Sequence, residues 1–177
     1  MKTLEVRRHS LRTPPEEHLS KEGLELAEDV GRSSGGFAAA LSSPLPRARE
    51  TAEAMGVVPT RVEELWSSLG EADDLPWPAT FLMCREALAR GGGAARLSGR
   101  LVASALRLVQ EVPEDTSALI ITHGGLPELL AAALFPAEDA RAWGGALRCM
   151  EGIRITFEGG LPVQIGVLRL DPGRTRL

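Results

Sequence analysis

Residues 117–122 read "SALIIT", four consecutive apolar residues between two hydroxyl-bearing ones. The run is strand-sized rather than helix-sized, and it does not alternate. A strand with no polar face must be covered on both sides, as in a parallel sheet packed between helices. The flanking sequence supplies those helices. Ser20 is placed to cap a helix over Lys21–Gly31, with Leu24, Ala27 and Val30 on one face. Ser43 and Pro44 read as an N-cap and a first-turn proline, so "SPLPRARETAEAM" opens as a helix. Phe81–Arg90 and Leu97–Val112 are helical, divided by Gly91, Gly92 and Gly93, and Leu126–Leu134 is another helix. Further strands fall at Thr3–Arg8, Phe37–Leu41 and Thr60–Leu65, with a hairpin of Gly152–Phe157 and Val163–Leu168 across "EGGLP". Glu71–Pro78 is acidic, carries two prolines, and reads as a loop. Strand–helix alternation over most of the chain predicts a three-layer α/β/α sandwich on a mainly parallel sheet, one domain spanning residues 1–177.

In an open α/β sheet, ligands bind beyond the carboxyl ends of the strands. Three segments put chemistry there. Arg8 and His9 end the first strand, Arg47 lies in or near the first turn of the helix after the second, and His123 follows "SALIIT". Two of the three histidines therefore share one sheet edge. The formal charge is -4 and the pI about 5.5, so the chain as a whole has no pull toward nucleic acid or an anionic membrane. Anion binding must come from local arginines. Arg8 and Arg47 each offer forked N–H donors to phosphoryl oxygens. The helix opening near Pro44 adds backbone N–H groups, and Gly124–Gly125 lets the backbone come close beside His123. One histidine could attack phosphorus while the other stabilises the equatorial oxygens.

"RRHSLR", "SSPLPRARETA" and "ITHGG", in that order and spacing, resemble the histidine phosphatase superfamily, also called the phosphoglycerate mutase-like family. The resemblance spans about Thr3 to Leu134 and implies a phosphoglycerate mutase-like fold. It implies His9 as the phospho-accepting nucleophile, Arg8 and Arg47 as the clamp on the phosphoryl group, and His123 with Gly124 completing the pocket. The implied activity is metal-independent and needs no cofactor. Its substrate is a small phosphoester or a phosphohistidine.

The chain departs from the family pattern at three points. Ser10 stands where Gly follows the first histidine. Leu11-Arg12-Thr13-Pro14 replaces the usual polar residue and Trp-Asn, so no Asn reaches the phosphate. In "ELWSSLGEADD", Ser67 occupies the approximate place of the Glu that the family uses as proton donor. Glu71 is the expected substitute, with Asp73 and Asp74 beside it and Glu64 farther off. The short chain and the missing donor are similar to the small phosphohistidine phosphatases of the superfamily.

Rival readings are a phosphoglycerate mutase, a non-catalytic phosphate sensor, and a metal hydrolase using His9 and His123. Two arginines beside those histidines would repel a cation, which disfavours the last. A mutase must hold a doubly anionic substrate and carries longer insertions after the third strand, which disfavours the first. Outside the site, Arg7 is expected in a structural ion pair or solvated. Arg49 and His18 are expected on the surface, Trp66 and Trp77 in packing, and Arg12 either on the loop surface or against substrate. Cys84 and Cys149 are expected as free thiols, too few for a disulfide framework. Eighteen arginines against Lys2 and Lys21, with no Asn, fit a heat-adapted host or a GC-rich genome. Met1 is followed at once by the first strand, and no apolar run approaches the ~20 residues of a membrane span, so a cytoplasmic monomer or homodimer is expected.

Overall fold

A computed structural model describes residues 1–174. Its elements are β1 (Lys2–Arg8), α1 (Lys21–Ser34), β2 (Ala39–Ser42), α2 (Pro46–Ala54), β3 (Arg61–Val62), α3 (Phe81–Arg90), α4 (Gly93–Glu111), β4 (Ser117–Thr122), α5 (Leu126–Leu134), β5 (Gly152–Glu158) and β6 (Leu161–Leu168). The strands form one six-stranded sheet in the order β3-β2-β4-β1-β5-β6. The first four run parallel, and β5 and β6 are antiparallel additions at one edge.

The apolar run of β4 is explained by the two layers that cover it. Leu119 and Ile121 pack with Leu26, Ala27 and Val30 of α1 and Ala48 and Ala52 of α2. Ala118 and Ile120 face the opposite way, into a larger core with Leu101 and Leu108 of α4, Phe81 of α3 and Leu129 of α5. Alternate side chains of a strand point to opposite faces, so a strand between two helical layers needs apolar residues at every position. α5 is itself buried almost all round, from Leu126 through Ala132, as expected of a helix without a polar stripe.

Several boundaries differ from the sequence expectation, β2 among them, at Ala39–Ser42 rather than Phe37–Leu41. α4 starts at Gly93 rather than Leu97, because only Gly91 and Gly92 take positive φ (79° and 86°) and Gly93 is already helical. A Cβ on Gly93 would lie 1.7 Å from the Glu71 carbonyl oxygen, so the chain crosses there at a distance only glycine permits. α1 runs on to Ser34. β3 shrinks to two residues, and Glu64–Trp66 forms a 3-10 turn instead. α2 begins at Pro46 with Leu45 at its N-cap; the Ser43 hydroxyl is drawn to His123 instead. No helix among the described residues is long and apolar enough to cross a membrane.

Candidate active site

β1, β4 and β2 are adjacent and parallel, so their carboxyl ends open onto one space. The register pairs Arg8 with Thr122. His9 then continues the ladder, its N–H donating to the Thr122 carbonyl at 2.8 Å. His123 is the first residue after β4, and the two imidazole centroids stand 5.0 Å apart. The Ser43 N–H donates to the Ile121 carbonyl at 3.1 Å, which brings the end of β2 to the same edge. Arg47 follows in the first turn of α2.

These residues line a cavity of about 350 Å³. Arg8, Arg12 and Arg47 give the lining its charge around His9 and His123, and Leu11, Pro14, Trp77, Gly124 and Cys149 complete it. Among the described residues, no carboxylate side chain lines it.

His9 Nδ1 lies 2.7 Å from the Ser10 carbonyl oxygen. A carbonyl only accepts, so Nδ1 carries the proton and the Nε2 lone pair is free. Burial, reinforced by the charges of Arg8, Arg47 and Arg12, lowers the His9 pKa to about 3. Burial likewise lowers that of His123 to about 2, with His9 and the same arginines adding to the effect. Both rings are neutral at physiological pH. His123 Nε2 is hydrogen-bonded to Ser43 Oγ at 2.7 Å.

Arg8 is buried, with Nη1 donating to the Leu147 carbonyl at 2.9 Å and its guanidinium carbon 5.6 Å from the Trp77 ring centroid. Arg47 pairs with Glu17. The Nε–H groups of both arginines are buried without a protein partner among the described residues. Two desolvated donors of this kind are a costly arrangement unless an anion completes them. Gly124 is required by space: a Cβ there would sit 2.8 Å from a Trp77 ring atom and 3.4 Å from Arg8 Nη1.

Ser10 shows why the chain dispenses with glycine after His9. It is fully buried, its Oγ donates to the Gly23 carbonyl at 2.7 Å, and its N–H donates to Thr51 Oγ1 at 2.9 Å. Thr51 Oγ1 in turn donates to the Arg47 carbonyl at 2.6 Å. The chain just after β1, beside His9, is thus pinned to the helix that carries Arg47.

Of the sequence candidates, Arg8, His9, Arg47, His123 and Gly124 come together and Glu71 does not. Glu71 pairs with Arg100 and Arg96 of α4, beside a separate surface depression it shares with Ser68 and Leu97. Those two arginines, four residues apart on one helix face, capture it. Ser67, near the expected donor position, has a buried hydroxyl with no partner among the described residues and does not line the cavity. Trp66 packs as expected, its indole N–H donating to Ser104 Oγ at 3.1 Å. Trp77 does not: it is 62% exposed and forms the cavity rim. Arg12 resolves toward the cavity. Arg7 is buried against Glu5 at 2.8 Å, while Arg49 and His18 are exposed. Both cysteines are buried, and neither is in a disulfide among the described residues.

Ser43, Cys149 and Glu17 were not recognised as site residues in the sequence. Cys149 arrives because β5 runs antiparallel to β1, with Gly152 opposite Arg7, and no local motif announces that pairing. Among the described residues, no group of three or more His, Cys, Asp or Glu side chains is placed to hold a metal ion.

The sequence model of the histidine phosphatase superfamily (branch 1) matches residues 3–165, and the chain belongs to that superfamily. A search of curated proteins returns no relative. Solved structures share the fold. A mycobacterial glucosyl-3-phosphoglycerate phosphatase in complex with VO3 is 23% identical, with a TM-score of 0.69 over 95% of this chain and 98% of that one. A phosphoserine phosphatase from Entamoeba histolytica is 18% identical, with a TM-score of 0.68 over 96% and 98%. YhfR from Bacillus stearothermophilus is 20% identical, with a TM-score of 0.65 over 94% and 96%.

Proposed function

We propose that the protein is a metal-independent phosphatase acting through a phosphohistidine on His9. The observation that carries this reading is the free Nε2 of His9, fixed by the Nδ1–Ser10 bond in a cavity with two arginines. Nε2 attacks phosphorus, the bond from phosphorus to the leaving atom breaks, and the leaving group departs with its electron pair. Arg8 and Arg47 neutralise the equatorial oxygens, with neutral His123 donating or accepting a hydrogen bond beside them. Water then attacks phosphorus, the N–P bond breaks, and inorganic phosphate leaves.

The proton supply narrows the substrate. An alkoxide needs a general acid, whereas a phenolate or an imidazole needs far less help. With no carboxylate lining the cavity, the site suits aryl phosphates and phosphohistidine over alkyl phosphates. Trp77, Leu11 and Pro14 give such a planar leaving group an apolar wall. A mutase would need a second cationic cluster for its second anionic group, and beyond Arg8, Arg12 and Arg47 the lining residues carry no further cationic side chain of Arg or Lys.

The test is turnover of a panel of alkyl phosphates, aryl phosphates and a phosphohistidine protein, with and without chelator, together with acid-quench trapping. Chelator-insensitive turnover and acid-labile phosphate on His9 support the reading. Phosphate retained on a residue other than His9, or no turnover of any member, removes it.

A further inference from the structure

We propose that Glu128 is a positioning residue for this site: its carboxylate latches the His123 loop to the chain segment that holds Arg8. The proposal rests on the reading of the cavity as a phosphoryl site. Glu128 is 0% exposed. Its Oε2 accepts the N–H of Gly125, two residues beyond His123, at 2.8 Å. Its Oε1 accepts the N–H of Leu147 at 2.8 Å. The carbonyl of that same Leu147 accepts Arg8 Nη1 at 2.9 Å. One carboxylate therefore links the loop leaving β4 to the residue that fixes the clamping arginine of β1.

The bond to Gly125 is an ordinary capping contact from the first turn of α5. The bond to Leu147, 19 residues away in sequence, is not. Arg169 grips the far side of the same segment, donating to the carbonyls of Trp143 at 2.9 Å and Gly145 at 2.6 Å. The segment that ends in Leu147 is thus tied both to Arg169 and to Glu128. A buried carboxylate is costly unless hydrogen bonds and a nearby cation offset it, and the field of Arg8 supplies the cation.

Both bonds are strongest with the ionised form. A proton on either oxygen makes it an O–H donor that accepts the facing N–H far more weakly. Burial raises the Glu128 pKa to about 7, opposed by the bonds from Leu147 and Gly125 and by Arg8. The other ionisable group that feels Glu128 is Cys84 on α3, its thiol pushed up by burial. The latch is closed above neutrality and opens as pH falls through that value.

Sulfate is the probe, because its charge stays constant from about pH 5.5 to about pH 8.5 while phosphate's does not. Glu50 raises the His18 pKa, so the measurements use a His18→Gln background to remove that ionisable group. Glu128→Gln, which keeps one acceptor, should weaken sulfate binding about tenfold, the loss expected of one hydrogen bond to a charged group. It should lower kcat/KM for p-nitrophenyl phosphate by about 10²-fold, the cost of a ~1 Å misplacement. The protein with Glu128 should lose sulfate affinity from about pH 8 to about pH 6, and Glu128→Gln should show a flat profile. A pure charge effect has the opposite sign, since removing a negative charge behind the cavity strengthens anion binding. Unchanged or tighter binding by folded Glu128→Gln overturns the proposal. If that variant does not fold, the pH series alone decides, and affinity that is flat or rising on acidification overturns it. A protein that binds no sulfate at any pH removes the phosphoryl site and the latch together.

Discussion

Ser43 Oγ stands 2.7 Å from His123 Nε2, joining the end of β2 to the end of β4 through two side chains. The backbone N–H of Leu45 also donates to this oxygen, at 3.3 Å. Ser43 therefore orients the imidazole from behind. Ser43→Ala should lower kcat by about tenfold, the scale of one buried hydrogen bond, with a smaller change in KM. Equal kcat in the two proteins would show that packing alone holds His123.

His9→Ala should remove at least ~10³-fold of turnover, as expected when a covalent nucleophile is lost. Acid-labile phosphate should vanish from the quenched protein at the same time. Retained labelling would place the nucleophile elsewhere.

Arg47 is paired with Glu17, so an anion in the cavity must compete with this carboxylate for the guanidinium. Glu17→Gln should tighten inorganic phosphate binding by up to about fivefold, the upper range for a half-exposed ion pair. Arg47→Lys should weaken it, because the ammonium keeps the charge and loses the fork. Isothermal titration of both variants checks the opposite signs.

Glu71→Gln should leave the ratio of alkyl to aryl phosphate kcat/KM unchanged, because Glu71 is bound to Arg96 and Arg100 on α4. Its effect on stability should stay within about 1 kcal/mol, as for other exposed pairs. A selective loss of alkyl phosphate turnover would return it to the site.

His9 and His123 carry pKa values lowered by burial to about 3 and about 2. The unfolded chain takes up their protons first, so their contribution to stability is complete above about pH 6.5 and is lost as pH falls from there toward 3. The expected slope is about 1.4 kcal/mol per pH unit for each ring. Glu128 runs the other way, favouring the folded state as pH drops through about 7. Urea denaturation of His9→Gln across this range should show a shallower acid loss than the parent. Identical slopes would mean that His9 is solvated.

What could be read from the chain was local. Arg8, His9 and His123 sit at strand ends that their own apolar runs announce, and Arg47 lies one helical turn beyond another. Their meeting needed only the rule that parallel strands share a carboxyl edge. Residues whose role depends on distant pairing stayed hidden. Trp77 belongs to a loop with no periodicity, and its place at the rim depends on the close pass over Gly124. Ser43 matched a helix cap so well that its bond to a residue 80 positions away had no signature. Glu71 was misplaced because its neighbourhood was inferred from β3, whereas the chain there is drawn to α4, over Gly93.

The strand order has a consequence for biosynthesis. β1 ends in Arg8, just before His9, and lies between β4 and β5, with Thr3 paired to Ser117 and Arg7 to Gly152. On the ribosome, β1 emerges more than a hundred residues before either neighbour exists, with both edges unpaired. A nascent chain that has reached α4 already contains Arg8, His9 and Arg47, and the Ser10–Thr51–Arg47 bonds can form within it, yet both strands that flank β1 are still missing. The cavity is complete only once β4 pairs with β1 and brings His123, and the segment ahead of β5 delivers Leu147 to Arg8.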